Sequence, residues 1–118
     1  MDALLGYSLE GAPHGVAGDL IGWMSNVTAP VVALDVSSGI DASTGDTPGS
    51  HVRATTTVTL ALPKTGLRVD AVGELWVADI GIPRGIFERA GAECPPAGLF
   101  SQGYTVRVTR TGKDAPHE

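Results

Sequence analysis

Pro30-Val31-Val32-Ala33-Leu34 is an unbroken aliphatic, β-branched run that stops at an acid, Asp35, and gives way to Val36-Ser37-Ser38-Gly39. A run without polar alternation is what a strand of a parallel sheet looks like, because helices cover both faces. That sheet type restricts the chain to βαβ connections with right-handed crossovers. It also says where to look for chemistry, since ligands of open parallel sheets bind beyond the C-terminal ends of the strands.

The flanking sequence repeats the pattern. Met1 to Leu5 is a short apolar stretch with one acid, the profile of the C-terminal end of a buried strand, and Gly6 to Gly15 is a loop of glycines and proline. From Val16 to Asn26, with Val27 just beyond, Val16, Leu20, Ile21, Met24 and Val27 recur at spacings of three and four, which predicts one apolar face of a helix. Gly18 and Gly22 weaken that helix by about 1 kcal/mol each relative to Ala, and close packing on a sheet is the expected compensation. Ser37 to Ser50 is loop. Thr55 to Leu62 and Glu74 to Ile80 are further strands, and Pro83 to about Ala90 is a short helix with proline at its first position. Tyr104 to Thr109 alternates as a half-buried edge strand, and Thr111 to Glu118 is a flexible tail. The fold class is therefore α/β: Rossmann-like, three-layered αβα, with a mostly parallel sheet.

Composition narrows the function. The 118 residues suit a single domain, with 42% hydrophobic and 18% charged residues. A net charge of -5 lacks the basic footprint of a nucleic-acid binder. No apolar run approaches the roughly 20 residues that span a bilayer, and Met1 to Gly6 has neither the basic leader nor the extended apolar region of a signal peptide, so neither a membrane nor secretion is expected. Cys94 stands alone, which removes intrachain disulfides and zinc spacing and fits a reducing, cytoplasmic setting.

Among the strand-end residues, Asp35 can act as a general base, bind a ribose hydroxyl or help hold a cation; equally, it can simply cap the following turn. Lys64 can meet a phosphate or carboxylate, or be an ordinary solvated lysine. Asp79 can cap the Pro83 helix region or be a second pocket acid. His14 and His51 read as surface residues and His117 as part of the tail. Cys94 has no evident activating base.

Four blocks, in order, carry a more specific signal: Asp2 to Leu9, Leu34 to Gly45, Ala61 to Leu67 and Gly73 to Pro83. Together they resemble the NAD(P)H-hydrate epimerase family, the YjeF N-terminal domain, over most of the chain. The resemblance implies interconversion of the R and S forms of hydrated NADH or NADPH, with a potassium ion in the pocket. It implies that Asp35 contacts the nucleotide as the catalytic acid or base, and that Asp2 and Ser38 are potassium ligands. Gly6, Tyr7, Ser8, Leu9, Glu10, Gly11 and Ala12 match the substrate loop, and Lys64 joins them as a substrate-binding residue. The family motif Asp-Ile-Pro-Ser-Gly has Ser37 in place of its proline. The family's N-terminal half, including an Asn-Asn-Gly-Gly-Asp-Gly loop, has no counterpart. Residues 1–110 therefore read as the C-terminal portion of that domain, with apolar surface exposed around Met1 to Leu5. A homodimer, or pairing with the absent half, is expected. The competing expectation is a non-catalytic nucleotide-binding or dimerising scaffold of the same fold.

Overall fold

A computed structural model describes residues 1–7, 9–67 and 70–109. The expected loop residue Ser8 and tail residues 111–118 lie outside that set.

In chain order the elements are α1 (Gly15–Met24), β1 (Val32–Leu34), β2 (Thr56–Leu60), a 3-10 turn (Asp70–Val72), β3 (Glu74–Ala78), α2 (Arg84–Arg89) and β4 (Thr105–Arg107). The sheet order is β1-β2-β3-β4. β1 pairs parallel with β2, placing Leu34 opposite Val58, and β2 pairs parallel with β3. β4 closes the far edge antiparallel to β3, with Val106 beside Val77. On the near edge Asp2 forms a single parallel bridge to Ala33, its N–H on the Val32 carbonyl and its carbonyl on the Leu34 N–H. The mostly parallel α/β sheet read from the apolar runs is thus present, with each element within a few residues of its expected bounds. Pro83 is the N-cap of α2 rather than its first helical residue.

Successive side chains of a strand point to opposite faces, and the two faces differ. Ala33, Thr57, Thr59 and Val77 are buried on one side. There Val36, Ile40, Ala42, Leu67, Ala71 and Val72 form a cluster with Leu75 against it, and Ile21 of α1 packs with Val31 and Val52. On the other side Val32 and Leu34 are 40% and 41% exposed. The aliphatic run predicted cover on both faces; the described residues cover one. At the sheet's near edge Met1 and Leu4 are exposed, as expected, while Asp2 between them is buried.

The helix expectation needs a correction. Ile21, Met24 and Val27 form the packed stripe, whereas Val16 is 75% exposed and Leu20 also faces outward. Spacings of three and four fit two stripes of one helix, and what the helix meets chooses between them. Nor do the glycines both serve close packing on the sheet. A Cβ on Gly18 would come within 3.2 Å of the Pro13 carbonyl, but one on Gly22 would meet nothing within 4 Å. No helix among the described residues is long and apolar enough to cross a membrane.

Two glycines fix the loops that leave β1 and β2. Gly39 has φ +95, and a Cβ there would lie 2.3 Å from the Ser50 carbonyl oxygen. A Cβ on Gly66 would lie 2.5 Å from the Asp41 carbonyl oxygen. Both loops are therefore pressed against backbone. Gly39→Ala should cost about 3 kcal/mol or more in a urea unfolding curve, from strain and clash together. Gly91→Ala is the control: φ is +66 but space is open, so it should lose only about 1 kcal/mol. Equal losses would contradict close packing at Gly39.

Candidate functional site

The parallel register of β1 and β2 brings their C-terminal ends together, and Asp35 and Lys64 meet there. Lys64 Nζ lies 2.6 Å from Asp35 Oδ1, with the two side chains 17% and 20% exposed. The same ammonium donates to Thr59 Oγ1 at 3.0 Å and to the Leu60 carbonyl at 2.8 Å. Asp35 Oδ1 also accepts from the Leu60 N–H at 3.1 Å and from Thr59 Oγ1 at 3.2 Å. Asp35 sits at φ +67, a left-handed conformation that Asp tolerates better than most residues and that turns its carboxylate toward β2. Burial pushes the Asp35 carboxyl up. The hydrogen bond from Lys64, the Leu60 N–H, the Lys64 charge and the Thr59 hydroxyl outweigh it, holding the carboxyl below its ordinary 3.8.

Lys64 is therefore not a solvated loop lysine. It lines a cleft of about 450 Å³ with Tyr7, Ser43, Leu60, Pro63 and Thr65. Of the loop from Gly6 to Ala12, Tyr7 reaches this cleft. Leu9 is half-buried, and Gly6, Glu10, Gly11 and Ala12 are exposed.

A second pair ties the near edge of the sheet to the serine loop. Asp2 Oδ2 accepts the Ser38 N–H at 2.7 Å, and Asp2 Oδ1 accepts the Ser38 hydroxyl at 2.6 Å. Ser38 Oγ accepts the Leu5 N–H at 2.9 Å and lies 3.3 Å from the Leu5 carbonyl oxygen. Asp2 and Ser38 are fully buried, and among the described residues no ion pair reaches Asp2. The Asp2 carboxylate, the Ser38 hydroxyl and the Leu5 carbonyl oxygen, linked through Ser38 Oγ, are oxygen donors of the kind that a hard cation takes. The residues present fit such an ion.

Ser37 has a structural role of its own. Thr57 Oγ1 donates to the Val72 carbonyl at 2.8 Å, which leaves the fully buried Ser37 hydroxyl to donate to Thr57 Oγ1 at 3.3 Å. The serine in the proline position thus finds a buried partner across β2. Thr57 and Thr59 were not singled out in the sequence, where threonines at 55, 56, 57 and 59 carry no alternation that marks the buried pair.

Elsewhere, Asp79 Oδ1 accepts the Gly81 N–H at 2.8 Å, a turn-capping bond. It does not cap α2, whose N-cap makes no side-chain hydrogen bond. His14 is exposed, and His117 lies outside the described residues. His51 is half-buried, not at the surface, because Gly39 packs against its backbone.

An acid–lysine pair and an acid–serine pair lie at the C-terminal edge of a mostly parallel sheet, where open α/β domains carry their ligand sites. The first 66 residues match the family described as YjeF-related protein N-terminus. This chain belongs to that family. It is similar to an NAD(P)H-hydrate epimerase of Dehalogenimonas lykanthroporepellens, 50% identical over 92% of the chain and 44% of the relative. It is 40% identical to an NAD(P)H-hydrate epimerase of Truepera radiovictrix over 79% of the chain and 43% of that protein. It is 43% identical to a bifunctional NAD(P)H-hydrate repair enzyme of Salinibacter ruber over 97% of the chain and 22% of that protein. The chain thus spans less than half the length of these curated relatives.

Proposed function

We propose that this chain carries the acid–lysine half of an NAD(P)H-hydrate epimerase site, serving nicotinamide nucleotide repair in the cytoplasm. The observation behind the reading is the Asp35–Lys64 pair beside the cleft at the ends of β1 and β2, in a family whose named relatives are epimerases. The substrate carbon carries a hydroxyl and a ring nitrogen. Losing the hydroxyl leaves a cation that the nitrogen stabilises, and water returning to the opposite face inverts the centre. The departing oxygen needs a proton and the returning water must give one up, so the net proton count is zero. Lys64 holds a donatable proton next to the Asp35 carboxylate, and the pair can deliver and recover it. Tyr7 and the rest of the Gly6 to Ala12 loop, including Ser8, bind the substrate alongside Lys64.

Asp2 and Ser38 would hold potassium, which when bound supplies a fixed positive charge that steadies the loop ends. The second polypeptide surface is supplied by an N-terminal half or by another copy of the chain, against the uncovered sheet face around Val32 and Leu34. Residues 1–110 form the domain portion and 111–118 its tail.

The test incubates R-form NADPH hydrate with the chain and potassium, alone and with any separately encoded polypeptide bearing the Asn-Asn-Gly-Gly-Asp-Gly loop. Conversion to the S form is followed by chromatography. Turnover in either mixture is expected. Its absence from both would overturn the enzyme reading and leave the non-catalytic scaffold of the same fold.

A further inference from the structure

Beyond the Asp35–Lys64 cleft, the C-terminal end of β3 opens onto a separate cavity of about 360 Å³. Ala61 lines both spaces, so the two adjoin across one residue. The cavity walls are largely apolar, with Ile82, Phe87, Leu99 and Phe100 among them, and Asp79 and Arg84 supply its charged groups. Arg84 is engaged in part, donating from one guanidinium nitrogen to the Pro95 carbonyl at 2.8 Å. Asp79 is anchored by the Gly81 N–H on Oδ1, and a carboxylate has acceptor capacity well beyond one such bond.

An apolar cavity with an acid fixed at a parallel strand's C-terminal end is suited to a nucleoside. The base lies against aliphatic and aromatic walls, and the carboxylate accepts from the ribose diol, the task an acid performs in other dinucleotide-binding sheets. A dinucleotide has two nucleoside ends. On the reading above, the hydrated nicotinamide lies at Asp35 and Lys64, leaving the adenosine end to be placed. We infer that the cavity at the end of β3 is the adenosine subsite, with Asp79 as the ribose ligand. The inference rests on the nucleotide reading for its choice of base, but adenosine binding is independent of turnover.

The experiment titrates adenosine into the isotope-labelled chain and follows backbone amides by NMR. Shifts are expected at Ile80, Gly81 and the stretch from Gly98 to Ser101, while Tyr7 and Lys64 stay still. Asp79→Asn should weaken binding about tenfold, the size of a lost charge-assisted hydrogen bond. An adenosine analogue lacking both ribose hydroxyls should bind the native chain about as weakly and be indifferent to Asp79→Asn. Shifts confined to the Tyr7–Lys64 cleft, no shifts at millimolar adenosine, or equal affinity of the native and Asp79→Asn chains would each overturn the subsite. Failed epimerisation with cavity shifts intact would instead strike the catalytic reading and leave the subsite standing.

Discussion

Asp35→Asn should lower epimerisation by about a hundredfold or more, the range in which a positioned proton-transferring group contributes, while leaving the melting temperature close to native. Asparagine is the informative replacement because it keeps the local structure. Asp35 lies at φ +67, a region that Asn tolerates and Ala resists. An Asn oxygen can still accept the Leu60 N–H, and Lys64 keeps Thr59 Oγ1 and the Leu60 carbonyl as partners. What disappears is the carboxylate charge opposite the ammonium. Since both side chains retain some solvent contact, the lost pairing should cost no more than about 1 kcal/mol. Turnover is to be measured in whichever mixture shows activity, beside a thermal melt. Unaltered turnover would contradict the role given to Asp35.

The same variant exposes the sign of the pH dependence. The folded-state carboxyl is held below its ordinary 3.8. The ionised pair therefore stabilises the fold from above the unfolded carboxyl range through neutrality, and that contribution is lost as pH falls through the lower folded value. The melting-temperature gap between native and Asp35→Asn chains should stay level from neutrality to about pH 5 and vanish in stronger acid. A gap that instead widened on acidification would mean a raised carboxyl, and with it a different arrangement at β1 and β2.

How much of this was legible from sequence can be argued residue by residue. The apolar run from Pro30 to Leu34, with the strand–helix–strand order around it, named a parallel sheet because that composition has few other stable uses. Asp35 stood out because it ends such a run. Lys64 did not stand out: taken alone it read more readily as a solvated loop lysine than as a phosphate or carboxylate partner. Its partner lies 29 residues away in sequence, and the contact exists only because the register sets Leu34 against Val58. The family resemblance raised both residues to site candidates, but it could not say that they form one ion pair. The choice of helix face failed for a related reason. Val16 and Leu20 satisfy the same periodicity as Ile21 and Met24, and burial against Val31 and Val52 decided for the latter. Ser37 looked like a lapse from the family motif until its buried hydroxyl met Thr57. In each case the sequence held the residue types, while the selecting term was long-range.

The Asp2–Ser38 pair offers a stability test of a fully buried polar contact. Asp2→Asn places an amide group where Ser38 offers two donors, its N–H to Oδ2 and its hydroxyl to Oδ1. One Asn oxygen can satisfy one of them. With that oxygen on the Ser38 N–H, the NH2 faces Ser38 Oγ, which must accept from it and turn its own proton to the Leu5 carbonyl at 3.3 Å in place of the 2.6 Å bond to Asp2. A hydrogen bond of this kind contributes about 0.5–1.5 kcal/mol net, so exchanging it for the longer one should cost Asp2→Asn about 1 kcal/mol in urea unfolding. Ser38→Ala removes the hydroxyl but keeps the N–H bond to Asp2. The double variant should fall short of the sum, because the two residues share one interaction. Strict additivity would show that the buried pair is not what ties residues 1–5 to the loop after β1. The ion makes a further distinction. If Asp2 and Ser38 hold potassium, KCl should raise the native unfolding midpoint more than equal choline chloride does, through preferential binding to the folded state. Asp2→Asn should erase that difference, and a potassium-specific gain that survived the substitution would place the cation elsewhere.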